Sequence, residues 1–334
     1  MKLVDKALQK MLWYMEMRQG MYLRRLAGEP FPWTKDPILR DYRLENVFRE
    51  LDRVTVWIRE NWREPYRKHP NLWLAMALAR GINWPDTLAE IGFPERWNPP
   101  HVLDVLEKRL ARGLKTFTSV YRLQHHGEGS KARYLVNRVL TPLWRAVEEG
   151  NRPPWEAAEP CTLETAHRWL SQFYGFGMPG FLAYEVVTDW RHTRYLRHAP
   201  DICTWANPGP GATRGLCRLL EVDLDAKIPV QEQLRYMREV YRWVREHRDR
   251  AILPTLEMRD VEHSLCAYDK WCRAHESLRA GKRVTLERFS PPQSPRRNLF
   301  AETIPPQGRS AQSRILGLGS LSEAGRFRGL PTQG

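Results

Sequence analysis

The sequence predicts an all-α protein. Apolar residues recur every three to four positions through most segments, proline and glycine clusters separate those segments, and no alternating apolar and polar run is long enough to build a sheet, with at most short strands near 115–122. The opening "MKLVDKALQKMLWYMEMRQGMYLRR" mixes charges with apolar residues at helical spacing, which makes an amphipathic first helix and neither a signal peptide nor a membrane span. "GEPFPWTKDPIL" follows as a loop, with Thr34 offered as N-cap and Pro37 early in the next helix. From 39 to 62, Leu39, Leu44, Val47, Leu51, Val54 and Ile58 recur every three to five positions as one buried helical stripe. Further helices are expected at about 70–80, 85–91 and 100–112, and "HHGEGSKARY" turns the chain into another at 130–149. Beyond "NRPPWEAAEP", helices are expected at about 162–174, 180–196, 211–220, 229–248 and 257–279. Residues 1–289 therefore read as one helical domain, divisible into lobes at 1–150 and 160–289. The stretch 290–334 is rich in Pro, Gly, Ser, Gln and Arg, with six arginines against two glutamates, and reads as a disordered basic tail.

The charge narrows the partners. Fifty-three basic against 39 acidic side chains give +14, which favours polyanions and leaves nucleic acid, acidic membrane and phosphorylated substrates open beside an ordinary basic globular protein. Fourteen tryptophans suit stacked bases as well as helical cores. The five cysteines, at 161, 203, 217, 266 and 272, form no Cys-x-x-Cys pair and no zinc spacing, so the expectation is reduced thiols in a cytoplasm-like compartment, with no metal and no cofactor. "GEGSK" at 127–131 does not meet the Walker pattern.

Four stretches carry candidate chemistry. In "FYGFGMPGFLAYEVVTDW", Gly175, Gly177 and Gly180 form a tight turn between helices, the helix-hairpin-helix pattern of DNA-repair glycosylases, which reads either as a phosphate cradle or as a plain interhelical turn. Asp189 closes the second helix, and Asp201 lies downstream. "NPGPGATRGL" fixes the backbone at its prolines, frees it at Gly209 and Gly211, and opens a helix bearing Arg214, a second candidate anion site. In "LEMRDVEHSLCAYDKWCR", Glu262, Cys266, Asp269 and Arg273 share a helical face, with His263 and Lys270 beside them, as a salt-bridge ladder or a pocket wall. In "LENVFRELDRV", Asn46, Arg49 and Arg53 share a face suited to phosphate and base contacts.

In order, "PWTKDPIL", "YRLENVFRELDRVTVWI", "FYGFGMPGFLAYEVVTDW", "DICTWANPGPGATRGL" and "EHSLCAYDKWCR" resemble the α-glutamyl/putrescinyl thymine pyrophosphorylase family, also described as the helical domain of 5-hydroxymethyluracil DNA kinases, over about residues 10–290. Ala267 departs from that pattern, where an acidic residue is expected. The resemblance implies an all-helical fold related to helix-hairpin-helix glycosylases, found in bacteriophages. It implies a transferase that replaces the phosphate or pyrophosphate of phosphorylated 5-hydroxymethyluracil, in double-stranded DNA, with an amino acid or polyamine, alongside a separate 5-hydroxymethyluracil DNA kinase. For that reaction Asp201, then Asp189, would deprotonate the amine, Arg214 with the amides of Gly209 and Gly211 would hold the leaving group, Trp205 would support an extruded base, and Lys270 and Arg273 would hold pyrophosphate or a carboxylate. A glycosylase using the same hairpin and acid, and a non-catalytic reader of modified DNA, are the alternatives.

Overall fold

A computed structural model describes residues 1–118, 129–157, 160–177 and 180–290, and among them the chain is helical, with no strand beyond one antiparallel bridge between Tyr42 and Arg288. The tail expected to be disordered lies, after Ser290, outside the described residues, as do positions 119–122 of the possible strand and Gly127 and Glu128 of the rejected nucleotide loop.

In chain order the helices are α1 (Asp5–Leu26), α2 (Pro37–Asp41), α3 (Arg53–Ile58), α4 (Leu72–Ile82), α5 (Pro85–Ile91), α6 (Pro99–Ala111), α7 (Lys131–Arg133), α8 (Thr141–Glu148), α9 (Leu163–Leu170), α10 (Phe181–Trp190), α11 (Pro210–Leu220), α12 (Val230–His247) and α13 (Met258–Arg279). They fall into two compact units. One comprises Met1–Arg49 together with the chain from Pro208, and the other comprises Glu50–Asn207. The first is discontinuous in sequence, a different division from the linear lobes 1–150 and 160–289.

In the first unit, α1 buries Met11, Tyr14 and Met15 on one side, as its apolar spacing requires. The cap of α2 is Asp36 and not Thr34. The Asp36 carboxylate accepts from the Leu39 amide at 2.8 Å, Pro37 takes the first helical position where no amide is needed, and the Thr34 hydroxyl accepts from the Asp36 amide instead. Asp36 also accepts from Trp271 Nε1 at 3.2 Å and pairs with His275 Nε2 at 2.8 Å, which ties α2 to α13.

The single helix expected over 39–62 is broken. Helix α2 ends at Asp41, Arg49–Leu51 form a 3-10 turn, Asp52 is extended, and α3 passes into a π turn at Arg59–Arg63. Leu39, Leu44, Val47, Leu51 and Ile58 are buried and Val54 is half-buried, so most of the apolar stripe is present, but irregular backbone delivers part of it. The second unit is built on α4, whose "LWLAMALARGI" is apolar but for Arg80 and buried at every position. Helix α10 packs on α4, with Trp190 fully buried and its Nε1 donating to the Trp73 carbonyl at 3.0 Å. Helices α7 and α8 are joined through a π-helical stretch, Tyr134–Leu140, so 131–148 is one continuous coil of varying pitch.

Candidate functional site

In the first unit the polar chemistry gathers where α11 lies on α13. Two glycines one turn apart set the approach: a β-carbon on Gly211 would collide with Cys266 Sγ, and one on Gly215 would collide with the Leu265 carbonyl oxygen. Gly211 therefore serves helix packing, while a β-carbon on Gly209 would meet nothing. The close seam brings the arginines of α11 to the acids of α13. Arg214 Nε donates to Asp269 Oδ2 at 3.0 Å, Arg218 Nε to Asp269 Oδ1 at 2.8 Å, and Arg273 Nε, one turn along α13, to Oδ2 at 3.0 Å. Asp269 is wholly buried. Burial would raise its carboxyl, but the hydrogen bonds from Arg218 and Arg214 and the charge of Arg273 hold it below the usual carboxylate range.

The three arginines differ in what they do with their outer nitrogens. Arg218 spends both Nη groups on Glu276, at 2.6 and 3.2 Å. Arg214 and Arg273 have no further partner among the described residues, and their side chains are 35% and 45% exposed. The remaining members of the expected pocket wall are engaged. Lys270 pairs with Glu45, whose carboxyl is lowered because the charges of Lys270 and His263 outweigh its burial. Buried Glu262 pairs with Arg259 at 2.9 Å. Burial pushes the Cys266 thiol up to about 11, so it is a packing group and not an activated nucleophile. His263 lies half-buried on the same face.

In the second unit, both expected acids are structural. Asp189 is fully buried and bound by Arg80 through two bonds, Nη2 to Oδ1 at 2.7 Å and Nε to Oδ2, with Arg63 Nη1 at 3.7 Å. Arg80 is itself held by Thr55 and Asn83. Glu50 takes Arg63, Arg59 and His192; burial opposes its ionisation, and the arginine charges override it and hold the carboxyl low. Asp201 accepts from the Leu163 amide at 2.8 Å and the Glu164 amide at 3.0 Å, one to each oxygen, so it caps the start of α9 from a distant position in the chain. Trp205 is buried and packs on His167 and Tyr184, at ring separations of 5.4 and 5.6 Å.

The glycine turn between α9 and α10 is present on its described residues. Gly175 (φ +83°) and Gly180 (φ +72°) take the left-handed conformation, a β-carbon on Gly175 would meet Val139, and His167 Nε2 is 3.0 Å from the Gly180 carbonyl. Gly177 is exposed, and two exposed aromatic residues, Tyr174 and Phe181, flank the turn. Asn46, Arg49 and Arg53 do not share a helical face, because the extended backbone at Asp52 separates the 3-10 turn from α3; Arg49 is buried and Arg53 exposed. The sequence reasoning missed Arg218 and Glu45. Arg218 was within reach, being one turn beyond Arg214, whereas no local signal ties Glu45 to Lys270, 225 positions away.

Comparison with known proteins corrects the expected reaction. The family model described as "5-hmdU DNA kinase, helical domain" matches residues 5–280. A curated protein of Bacillus phage SP10, named "5-hmdU DNA kinase", is 25% identical over 219 residues, covering 60% of this chain and 34% of that protein. The chain thus spans about a third of the length of the curated relative it matches. No solved structure matches. These findings name a kinase, a phosphotransferase class, where the sequence reading named a pyrophosphorylase family and a transferase of amino acids or amines. Amine transfer, the amine co-substrate, and the roles of Asp201 and Asp189 in deprotonating it are withdrawn with that reading. The match covers nearly all of the described residues of both units, and the chain belongs to the family of the 5-hmdU DNA kinase helical domain.

Proposed function

We propose that this chain serves the phosphorylation of 5-hydroxymethyluracil in DNA, and that its own share of the reaction is to hold the DNA and present the modified base. The family match over residues 5–280 carries the reading, and the name of the phage relative supplies the reaction class. Most of that relative's length lies outside the match, so the proposal gives this chain the DNA side of the reaction and leaves the phosphoryl donor's site unassigned. In such a transfer the hydroxymethyl oxygen attacks the donor's terminal phosphorus. The new O–P bond forms as the bond to the leaving group breaks, and the hydroxyl proton passes to a base. What falls to a DNA-holding part is phosphate recognition and orientation, for which a net charge of +14 is suited.

The finer fold belongs to the same proposal. We read the turn between α9 and α10 as a helix-hairpin-helix element of the DNA-glycosylase type that meets duplex DNA, supported by the left-handed Gly175 and Gly180 and the exposed Gly177 between the two helices. The test is fluorescence anisotropy with labelled duplexes carrying 5-hydroxymethyluracil or thymine, over a salt series. The expected outcome is binding that weakens by on the order of tenfold or more for a few-fold rise in salt, as contact with several phosphates requires. Absence of binding at low salt, or a flat salt response, refutes the reading.

A further inference from the structure

We propose that Arg214 and Arg273 form a clamp for a phosphate group, with buried Asp269 as the residue that positions both guanidinium groups. The inference rests on the reading that this chain meets DNA, and it deepens that reading by naming where a phosphate is held. Arg214 and Arg273 each reach the same carboxylate oxygen, Asp269 Oδ2, through Nε at 3.0 Å. Their Nε atoms are therefore within about 6 Å of each other, and each fork is fixed at its root. A guanidinium bound through Nε to one carboxylate still presents its Nη donors. On Arg214 and Arg273 those donors have no partner among the described residues, and both side chains are part-exposed.

The contrast with Arg218 makes the arrangement selective. Its Nη groups are closed off by Glu276, so of the three arginines on Asp269 two are left with open forks. One buried carboxylate among three guanidinium groups leaves the cluster positive after Glu276 is included. A pre-oriented pair of planar donors beside that surplus charge fits the oxygens of a phosphate group, and a long arginine that is already anchored loses less conformational freedom on binding. Helix α11 supports the same polarity, because its N-cap, Gly209, provides no side-chain acceptor and Arg214 sits one turn into the helix. The phosphate could be a backbone diester or the dianion of a phosphate monoester, and the two are separable by experiment.

The experiment measures two quantities on the full chain, for wild type, Arg214→Gln, Arg273→Gln and the double variant. The first is the salt slope of duplex DNA binding by anisotropy, and the second is binding of thymidine 5′-monophosphate by calorimetry. Arg235→Gln is the control, since Arg235 is exposed and already paired with Glu232 and Glu239. A drop in salt slope of about one per arginine removed, absent in the control, supports the clamp with a backbone diester as its ligand. An unchanged slope with loss of monophosphate binding in the double variant supports the clamp with a monoester. Neither change, or a drop no larger than in Arg235→Gln, overturns it. Asp269→Asn keeps the shape while releasing the forks, and is expected to weaken binding with both arginines still present; binding equal to wild type removes Asp269 from its positioning role. If wild type itself fails to bind DNA, the parent reading fails. If wild type binds and the double variant matches it on both readouts, only the clamp fails.

Discussion

Replacing Asp189 with asparagine is expected to damage stability. The side chain is fully buried, Arg80 opposite it is 1% exposed, and two hydrogen bonds join them. Removing the carboxylate charge leaves the Arg80 cation buried, with Thr55 and Asn83 as neutral partners only. Breaking a buried pair from one side costs about 3–5 kcal/mol, and the retained amide oxygen places Asp189→Asn near about 3 kcal/mol. For a cooperative unit of this size that is a fall in melting temperature of roughly 6–12 °C. Urea unfolding followed by tryptophan fluorescence reads it as a lower midpoint at unchanged slope. The variant Arg80→Met is expected to lose as much, and the double variant Arg80→Met with Asp189→Leu to regain most of the loss, because an apolar pair of similar volume carries no uncompensated charge. A single Asp189→Asn variant within about 0.5 kcal/mol of wild type would refute the reasoning.

Three further outcomes follow from the same structure. Burial pushes His192 down to about 4, so between that value and the ordinary value of about 6.5 the unfolded chain takes a proton that the folded chain does not; stability is complete above the upper bound and falls by about 1–3 kcal/mol as pH drops through the window, and His192→Gln should flatten the fall in pH-dependent denaturation midpoints. Gly215→Ala is expected to destabilise by about 1–3 kcal/mol, despite the better helix propensity of alanine, because the new β-carbon meets the Leu265 carbonyl oxygen, and a variant melting at or above wild type would contradict the packing account. Asp201→Asn is expected to cost about 0.5–2 kcal/mol through the start of α9, seen as faster hydrogen exchange at the amides of Leu163 and Glu164, and unchanged exchange there would remove the capping role.

Helix positions were legible wherever one apolar stripe was satisfied by one continuous helix. That held for α1, α12 and α13, whose buried residues follow the periodicity within each helix, while α4 was legible as an apolar run buried at every position. It failed over 39–62, because spacing of three to five residues is equally met by turns that each bury one side chain, and Asp52 in extended backbone leaves no trace in that pattern. Thr34 and Asp36 are both good caps by type, and the choice fell to Asp36, which also serves Trp271 and His275 from across the unit. The acids misled for a related reason. Asp201 sits in a glycine- and proline-rich stretch that looks like a site, and what fixes its role is the pair of amides opening α9, 37 and 38 positions earlier, that the Thr162 cap does not take. Asp189 needed Arg80, 109 positions away, before its burial made sense. Face-sharing along α13 was readable, but that Asp269 would gather three arginines depended on the glycine seam with α11.

In an arginine-rich chain the informative question is what remains of each guanidinium group after its carboxylate partner is counted. In the second unit Arg59, Arg63 and Arg80 meet Glu50, Glu60, Glu64 and Asp189, and all three arginine side chains are buried, so their charge is matched by carboxylates and serves rigidity. In the first unit Arg214, Arg218 and Arg273 meet Asp269 and Glu276, and two of the three forks keep their outer donors toward partly exposed surface. On the proposed clamp, Asp269 orients Arg214 and Arg273 without neutralising both, which is the arrangement a phosphate site requires.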